Sequence, residues 1–113
     1  MITVGVGASS GATVEEVLAA IDGVLPPGAD DVRLATVEAR EPVVAQAAAL
    51  RGWSAVPHSA AALAAIPVPA PSSRVTTAVG TPSVAEAAAL VGGGTLLVGK
   101  TVVGRVTVAV AES

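Results

Sequence analysis

The sequence contains no cysteine, no tyrosine and no phenylalanine, and only one tryptophan (Trp53), one histidine (His58) and one lysine (Lys100). Without thiols there is no disulfide, no thiolate nucleophile and no cysteine-held iron–sulfur cluster, and a single imidazole is too few nitrogen ligands for a protein-built transition-metal site. Charge is scarce as well: charged residues make up 13% of the chain, the net charge is −3, and the six basic residues are scattered. No cluster is available to neutralise a nucleic-acid backbone. A membrane-spanning helix is missing too, since it needs about 20 apolar residues without breakers. A long stretch without a formal charge, Ser54 to Ser73, is cut by Pro57, Pro67, Pro69 and Pro71, which in lipid would leave backbone groups unsatisfied. Met1 runs directly into Ile2-Thr3-Val4 with no basic leader or cleavage site, so no export is expected and the location read from the sequence is cytoplasmic.

What remains is small and aliphatic. Apolar residues are 52% of the 113, so the core must be built from Ala, Val, Leu and Ile, with alanine allowing helices to lie close to a sheet and valine favouring strands through its restricted χ1. A chain of this length forms one domain, residues 1–113, and buries roughly two thirds of the surface exposed by its unfolded form.

The pattern alternates between strand and helix. Ile2–Val6 reads as a strand ending in Gly5-Val6-Gly7; Thr13 and Glu16 have capping-box spacing, and Val14, Val17, Leu18 and Ile21 form one apolar stripe behind them. Val32–Val37 is a second strand, Val43–Arg51 a helix started by Glu41-Pro42 and stopped by Gly52, and Trp53–Val56 a short strand. Ser59 caps a helix that runs to Ile66, where the Pro67–Pro71 segment ends it. Val75–Val79 is a further strand, followed by Gly80-Thr81-Pro82-Ser83 and a helix with a second box from Ser83 to Glu86. Thr95–Val98 and Val106–Val110 close the chain as strands separated by the seven residues Gly99 to Arg105, too few for a helical crossover. The fold class expected is therefore α/β: three layers, α/β/α, with a mixed, mostly parallel sheet of about six strands and an antiparallel C-terminal hairpin.

Three stretches taken together, Ile2-Thr-Val-Gly-Val-Gly with its capped helix, Val79-Gly-Thr-Pro-Ser-Val-Ala-Glu-Ala-Ala-Ala-Leu90, and Lys100 with Val106-Thr-Val-Ala-Val-Ala111, resemble the CobE/CbiG C-terminal domain family of cobalamin biosynthesis over the whole chain. The resemblance implies a protein that binds a precorrin or other corrinoid intermediate and makes contacts with other corrin-pathway enzymes. In the fused members it implies a hydrolase that opens a lactone on a cobalt-precorrin and releases acetaldehyde. No cofactor of the protein's own is implied. Where the family often carries Cys and Arg after its first glycines, this chain has Ala8-Ser9-Ser10, so roles resting on that thiol and cation do not carry over. A non-catalytic structural α/β module is the reading from a different class.

Several residues could carry such a role. The loop holding Gly7, Ser9 and Ser10 sits between a strand and a helix and could cradle anions on backbone N–H groups. Its third glycine, Gly11, comes one residue late for a dinucleotide fingerprint, which argues against a nucleotide. Gly80, Thr81 and Ser83 form a second strand-to-helix turn of the same kind, and Lys100, placed in a turn by Gly99 and Gly104, could pair with a substrate carboxylate. Thr36, Glu38 and Arg40 stand at the C-terminal end of the second strand, where open α/β sheets bind ligands; Arg40 would hold a carboxylate and Glu38 would activate water, with His58 as a further acid–base group. Each has a plainer reading beside it: glycines that only turn the chain, serines that only cap, and charged groups that are only solvated. Trp53 reads as a core residue.

Overall fold

The computed structural model describes residues 1–9, 11–25, 28, 31–66, 84–91 and 93–113. In chain order the elements are β1 (Ile2–Ala8), α1 (Val14–Val24), β2 (Val32–Val37), a single 3-10 turn (Glu38–Arg40), α2 (Glu41–Arg51), β3 (Ser54–His58), α3 (Ala60–Ala64), α4 (Val84–Leu90), β4 (Thr95–Val103) and β5 (Val106–Glu112). The sheet order is β3-β2-β1-β5-β4. β1, β2 and β3 are mutually parallel, joined by crossovers through α1 and α2, while β5 runs antiparallel to both β1 and β4. The sheet is mixed, as the pattern predicts, but five-stranded among the described residues rather than about six-stranded. The expected strand Val75–Val79 and the turn Gly80–Ser83 lie outside the described residues.

Local chemistry explains the element ends. Thr13 and Glu16 form the expected box, with the Thr13 Oγ1 accepting from the Glu16 amide at 3.2 Å and a Glu16 carboxylate oxygen accepting from the Thr13 amide at 3.0 Å. α2 has proline in its first turn, where a missing N–H costs nothing, and ends on Gly52 at φ 72°, a left-handed cap suited to glycine. The Ser59 Oγ accepts from the Ala62 amide at 3.1 Å and starts α3. β3 takes in Pro57, one residue beyond the expected end, because it is an edge strand and the missing donor leaves no ladder bond unmade.

The two faces of the sheet are unlike. On one, Val4, Val6, Leu34, Val106, Val108 and Val110 meet Val17, Ala20 and Ile21 of α1 and Val44, Ala47 and Ala48 of α2. On the other, Ala35, Ala109 and Ala111 meet Leu63 of α3 and Ala85, Ala87, Ala88 and Ala89 of α4. Gly5 lies beneath α4. A Cβ there would collide with the Ala85 carbonyl oxygen and stand 2.6 Å from the Ala89 nitrogen, so the helix backbone itself rests on the strand. Together these faces give the three-layer arrangement.

The hairpin differs from expectation. β4 continues through the β-branched Thr101-Val102-Val103, and the connection shrinks to Gly104-Arg105, with Gly104 at φ 58° supplying the left-handed residue that a two-residue turn requires. Lys100 therefore stands within an edge strand and not in a turn. That strand shifts register between Leu96 and Val98 and again between Val98 and Thr101, irregularities that make an exposed edge a poorer template for further pairing. Among the described residues no helix is long and apolar enough to cross a membrane.

Gly5→Ala is expected to destabilise the fold by about 3 kcal/mol or more, because backbone rather than a flexible side chain must move. Gly23→Ala, with open space within 4 Å on the last turn of α1, is expected to stabilise by about 0.5 kcal/mol. Urea unfolding of the two variants beside the parent checks both signs.

Candidate functional site

Because β1, β2 and β3 are parallel, their C-terminal ends share one edge of the sheet. Ala8, the last residue of β1, pairs with Val106, the first of β5, so the Gly104-Arg105 turn rises at that same edge. The ends of β3, β2, β1 and β5 lie three interstrand steps apart, about 14 Å in all. This rim collects most of the candidate residues within the described part of the chain.

At its centre is the loop from β1 to α1, held on both flanks. From the β2 side, the Arg40 Nε donates to the Ala8 carbonyl at 2.7 Å and its Nη1 to the Ala39 carbonyl at 3.3 Å. From the β5 side, the Arg105 carbonyl accepts from the Ser9 amide at 3.0 Å, and the Arg105 Nε donates to the Glu16 Oε2 at 3.2 Å. Within the loop the Ala12 amide donates to the Ser9 carbonyl at 3.0 Å. The Thr13 amide, and beyond it the charge of Arg105, hold the Glu16 carboxyl below the usual glutamate range against an opposing push from desolvation.

Gly7 lies half-buried within β1, and Ser9 is exposed just beyond it. Thr36 is completely buried and its hydroxyl donates to the Val6 carbonyl at 2.7 Å; it ties β1 to β2 beneath the rim and presents no free hydroxyl there. Glu38 is exposed in the 3-10 turn. Val37 pairs with His58, so Glu38, one residue beyond β2, and half-buried His58, the last residue of β3, stand at neighbouring strand ends. Lys100 is exposed on β4. Three residues before the end of that strand, it lies about 10 Å below the rim turn, with its amide donating to the Glu86 Oε2 at 3.1 Å. Ser10, Gly80, Thr81 and Ser83 lie outside the described residues. Among the described residues no three metal-ligating side chains gather in one place.

Arg105 is the rim residue that the sequence reading passes over. Its local context, one arginine after a glycine in a hairpin, says nothing of a ligand. Only the pairing of the last strand with the first brings it onto the β1–α1 loop, nearly a hundred residues away in sequence. Glu16 was legible as a cap, and its second carboxylate oxygen reaching Arg105 was not. Trp53 is half-buried against the core formed with α1 and α2, with the Arg51 guanidinium 5.8 Å from its ring centroid.

The chain matches the sequence profile of the family described as Cobalamin synthesis G C-terminus over residues 2–111. Among solved structures it is similar to CobE, a protein from the cobalamin (vitamin B12) biosynthetic pathway, at 29% identity and a TM-score of 0.78 over 98% of this chain and 92% of that one. It is also similar to the cobalamin biosynthesis protein chiG from Agrobacterium tumefaciens, at 28% identity and a TM-score of 0.70 over 100% of this chain and 98% of that one. No curated protein matches the chain.

Since the Glu16 carboxyl titrates lower in the folded chain than in the unfolded one, its contribution to stability is fully present above the unfolded value and is lost as pH falls through the folded value. Thr13→Ala is expected to cost about 1 kcal/mol at neutral pH, and this difference should shrink below the ordinary glutamate value of about 4.3. Thermal unfolding of parent and variant between pH 7 and pH 3 measures the change.

Proposed function

The chain belongs to the Cobalamin synthesis G C-terminus family, and from that membership in cobalamin biosynthesis we propose that it binds a precorrin-type corrin intermediate along the rim at the C-terminal ends of β1, β2 and β3. A ring of this kind is flat, largely apolar and fringed with acetate and propionate carboxylates. What recognises it should therefore be a shallow edge of small residues with cations and amide donors spaced along it. The observation that carries the reading is the placement of Arg40 on the Ala8 carbonyl at 2.7 Å, at the strand ends where open α/β sheets take their ligands. Ser9 stands beside it, exposed. Ser10, Gly80, Thr81, Ser83 and Lys100 extend the proposed contacts, with Thr36 acting beneath the rim by positioning the end of β1. Such a protein works in the cytoplasm, in contact with the enzymes that make and consume the intermediate.

A second reading rests on the register of β2 and β3. The pairing of Val37 with His58 sets Glu38 and His58 at adjacent strand ends, where a carboxylate and an imidazole could share a water molecule and direct it onto a ring lactone. The carboxylate would accept the proton of the attacking water. The imidazole, carrying a proton, would give it to the departing alkoxide as the acyl C–O bond of the lactone breaks; the C–C bond between the ring and the carbinol carbon so freed would then cleave, the ring taking up the electron pair and the hydroxyl proton, and acetaldehyde would leave.

Spectrophotometric titration with early precorrins tests the first reading: a saturable absorbance shift is expected, weakened roughly tenfold by Arg40→Ala through the loss of one charged contact, and no shift with any precorrin would overturn it. Acetaldehyde release tests the second. Glu38→Gln and His58→Asn should each lower that release by about a hundredfold or more while leaving the absorbance shift in place. Unchanged turnover in both would remove these residues from the chemistry.

A further inference from the structure

The described guanidinium groups divide sharply by place. Arg33 donates to the Thr3 hydroxyl at 3.3 Å near the start of the strands. Arg51 is engaged by both oxygens of Asp22, at 2.7 and 2.8 Å. The remaining two, Arg40 and Arg105, stand on the rim and contact the same short loop, one at Ala8 and the other beside Gly11. In each, the Nε is committed to the protein. The terminal fork of Arg105 has no partner among the described residues, and 58% of that side chain is exposed.

Gly11 supplies an independent observation. Its φ is not left-handed, so backbone conformation does not demand a glycine there. What a side chain would meet is Arg105: a Cβ on residue 11 would stand 2.8 Å from the Arg105 Nη1. The glycine makes room for the guanidinium on the loop. The Ser9 amide fixes the backbone carbonyl of the same arginine, so loop and cation are held as one unit, and the contact with the Glu16 Oε2 shows the group already receiving a carboxylate through a single point.

We propose that Arg105 and Arg40 form a two-point carboxylate clamp across the β1–α1 loop, each arginine holding one acid side chain of the same ligand. This rests on the corrin-binding reading and deepens it: the ligand is recognised in the form that carries free acid groups and is discriminated from the form in which they have become amides. Glu16, which holds the Arg105 Nε, keeps the open fork aligned, and its charge competes with an incoming ligand carboxylate for the same guanidinium. A planar fork suits this exchange better than a lysine, which would present a point charge.

Two probes distinguish the clamp from the corrin reading: a metal-free corrin bearing free acetates and propionates, and the same ring with those groups as amides. Arg105→Gln is expected to weaken the acid ring roughly tenfold, and Arg105→Lys to restore only part of that, with no effect of either on the amide ring. Glu16→Gln keeps an oxygen for the cap but removes the competing charge, and should tighten the acid ring by about threefold. A merely structural Glu16–Arg105 pair would instead make Glu16→Gln weaken binding. If the acid ring binds the parent and Arg105→Gln equally, the clamp is wrong while the corrin reading stands. If neither ring binds the parent, the corrin reading fails, and titration with tricarballylate followed by amide NMR still decides: shifts at Gly11 and Arg105 that vanish in Arg105→Gln uphold a carboxylate clamp, and their absence overturns it.

Discussion

The antiparallel pairing of β1 with β5, running from Ile2 opposite Glu112 to Ala8 opposite Val106, is the constraint on which the rest of the structure depends. It makes the first strand of the chain the middle strand of the sheet, with β2 on its other side. The loop that leaves β1 must then emerge between the end of β2 and the start of β5, and each neighbour contributes an arginine to it. Without that pairing Arg105 would lie at the tip of an isolated hairpin, and Arg40 would face no partner across the loop. The closure is costly in chain entropy, since it joins the two ends of the sequence. Burial of Val4, Val6, Val106, Val108 and Val110 in one cluster offsets that cost.

The second constraint is thickness. A core without phenylalanine or tyrosine cannot fill wide gaps, and the two faces of the sheet meet this in different ways. Where α1 and α2 pack, branched side chains from both layers interdigitate. Where α4 packs, the side chains almost disappear: Gly5 lies under the helix backbone and Ala35, Ala109 and Ala111 surround it. Within α4, Glu86 is bonded to the Lys100 amide, and Leu90 packs on the same alanine cluster as Leu96. It is thus seated against both the β1–β5 pair and the outermost strand, β4. The alanine-rich composition and this close approach are one fact seen at two levels, because only small side chains let dispersion contacts form between backbone and backbone.

Much of the fold was legible because its signals are local. The Thr13–Glu16 box, the Val32–Val37 strand, the Gly52 stop and the Ser59 cap each depend on residues within one turn of one another, and each stands where its chemistry places it. The antiparallel C-terminal hairpin forms as expected, and only its connection is shorter: Gly99 and Gly104 look alike in sequence, yet only Gly104 takes a left-handed φ, while Gly99 lies within β4 beside Glu86. The site was less legible. Arg40, Glu38 and His58 do gather on one rim, as strand-end logic suggests, whereas the buried hydroxyl of Thr36 bonded to Val6 and the strand position of Lys100 follow from register, which no short motif encodes. Arg105 depends on a contact between sequence positions about as far apart as the chain permits.

The claim that this rim receives a corrin ring can be tested without any variant. A corrin carrying paramagnetic cobalt(II) broadens nearby amide resonances, so its place on the protein can be read directly from an NMR spectrum. Selective broadening of Ser9, Gly11, Glu38, Arg40 and Arg105, with Gly93, Gly94 and Ser113 at the opposite edge left sharp, is the result predicted. Broadening centred on that opposite edge, or on the Thr95–Val98 start of β4 beyond Lys100, would contradict it.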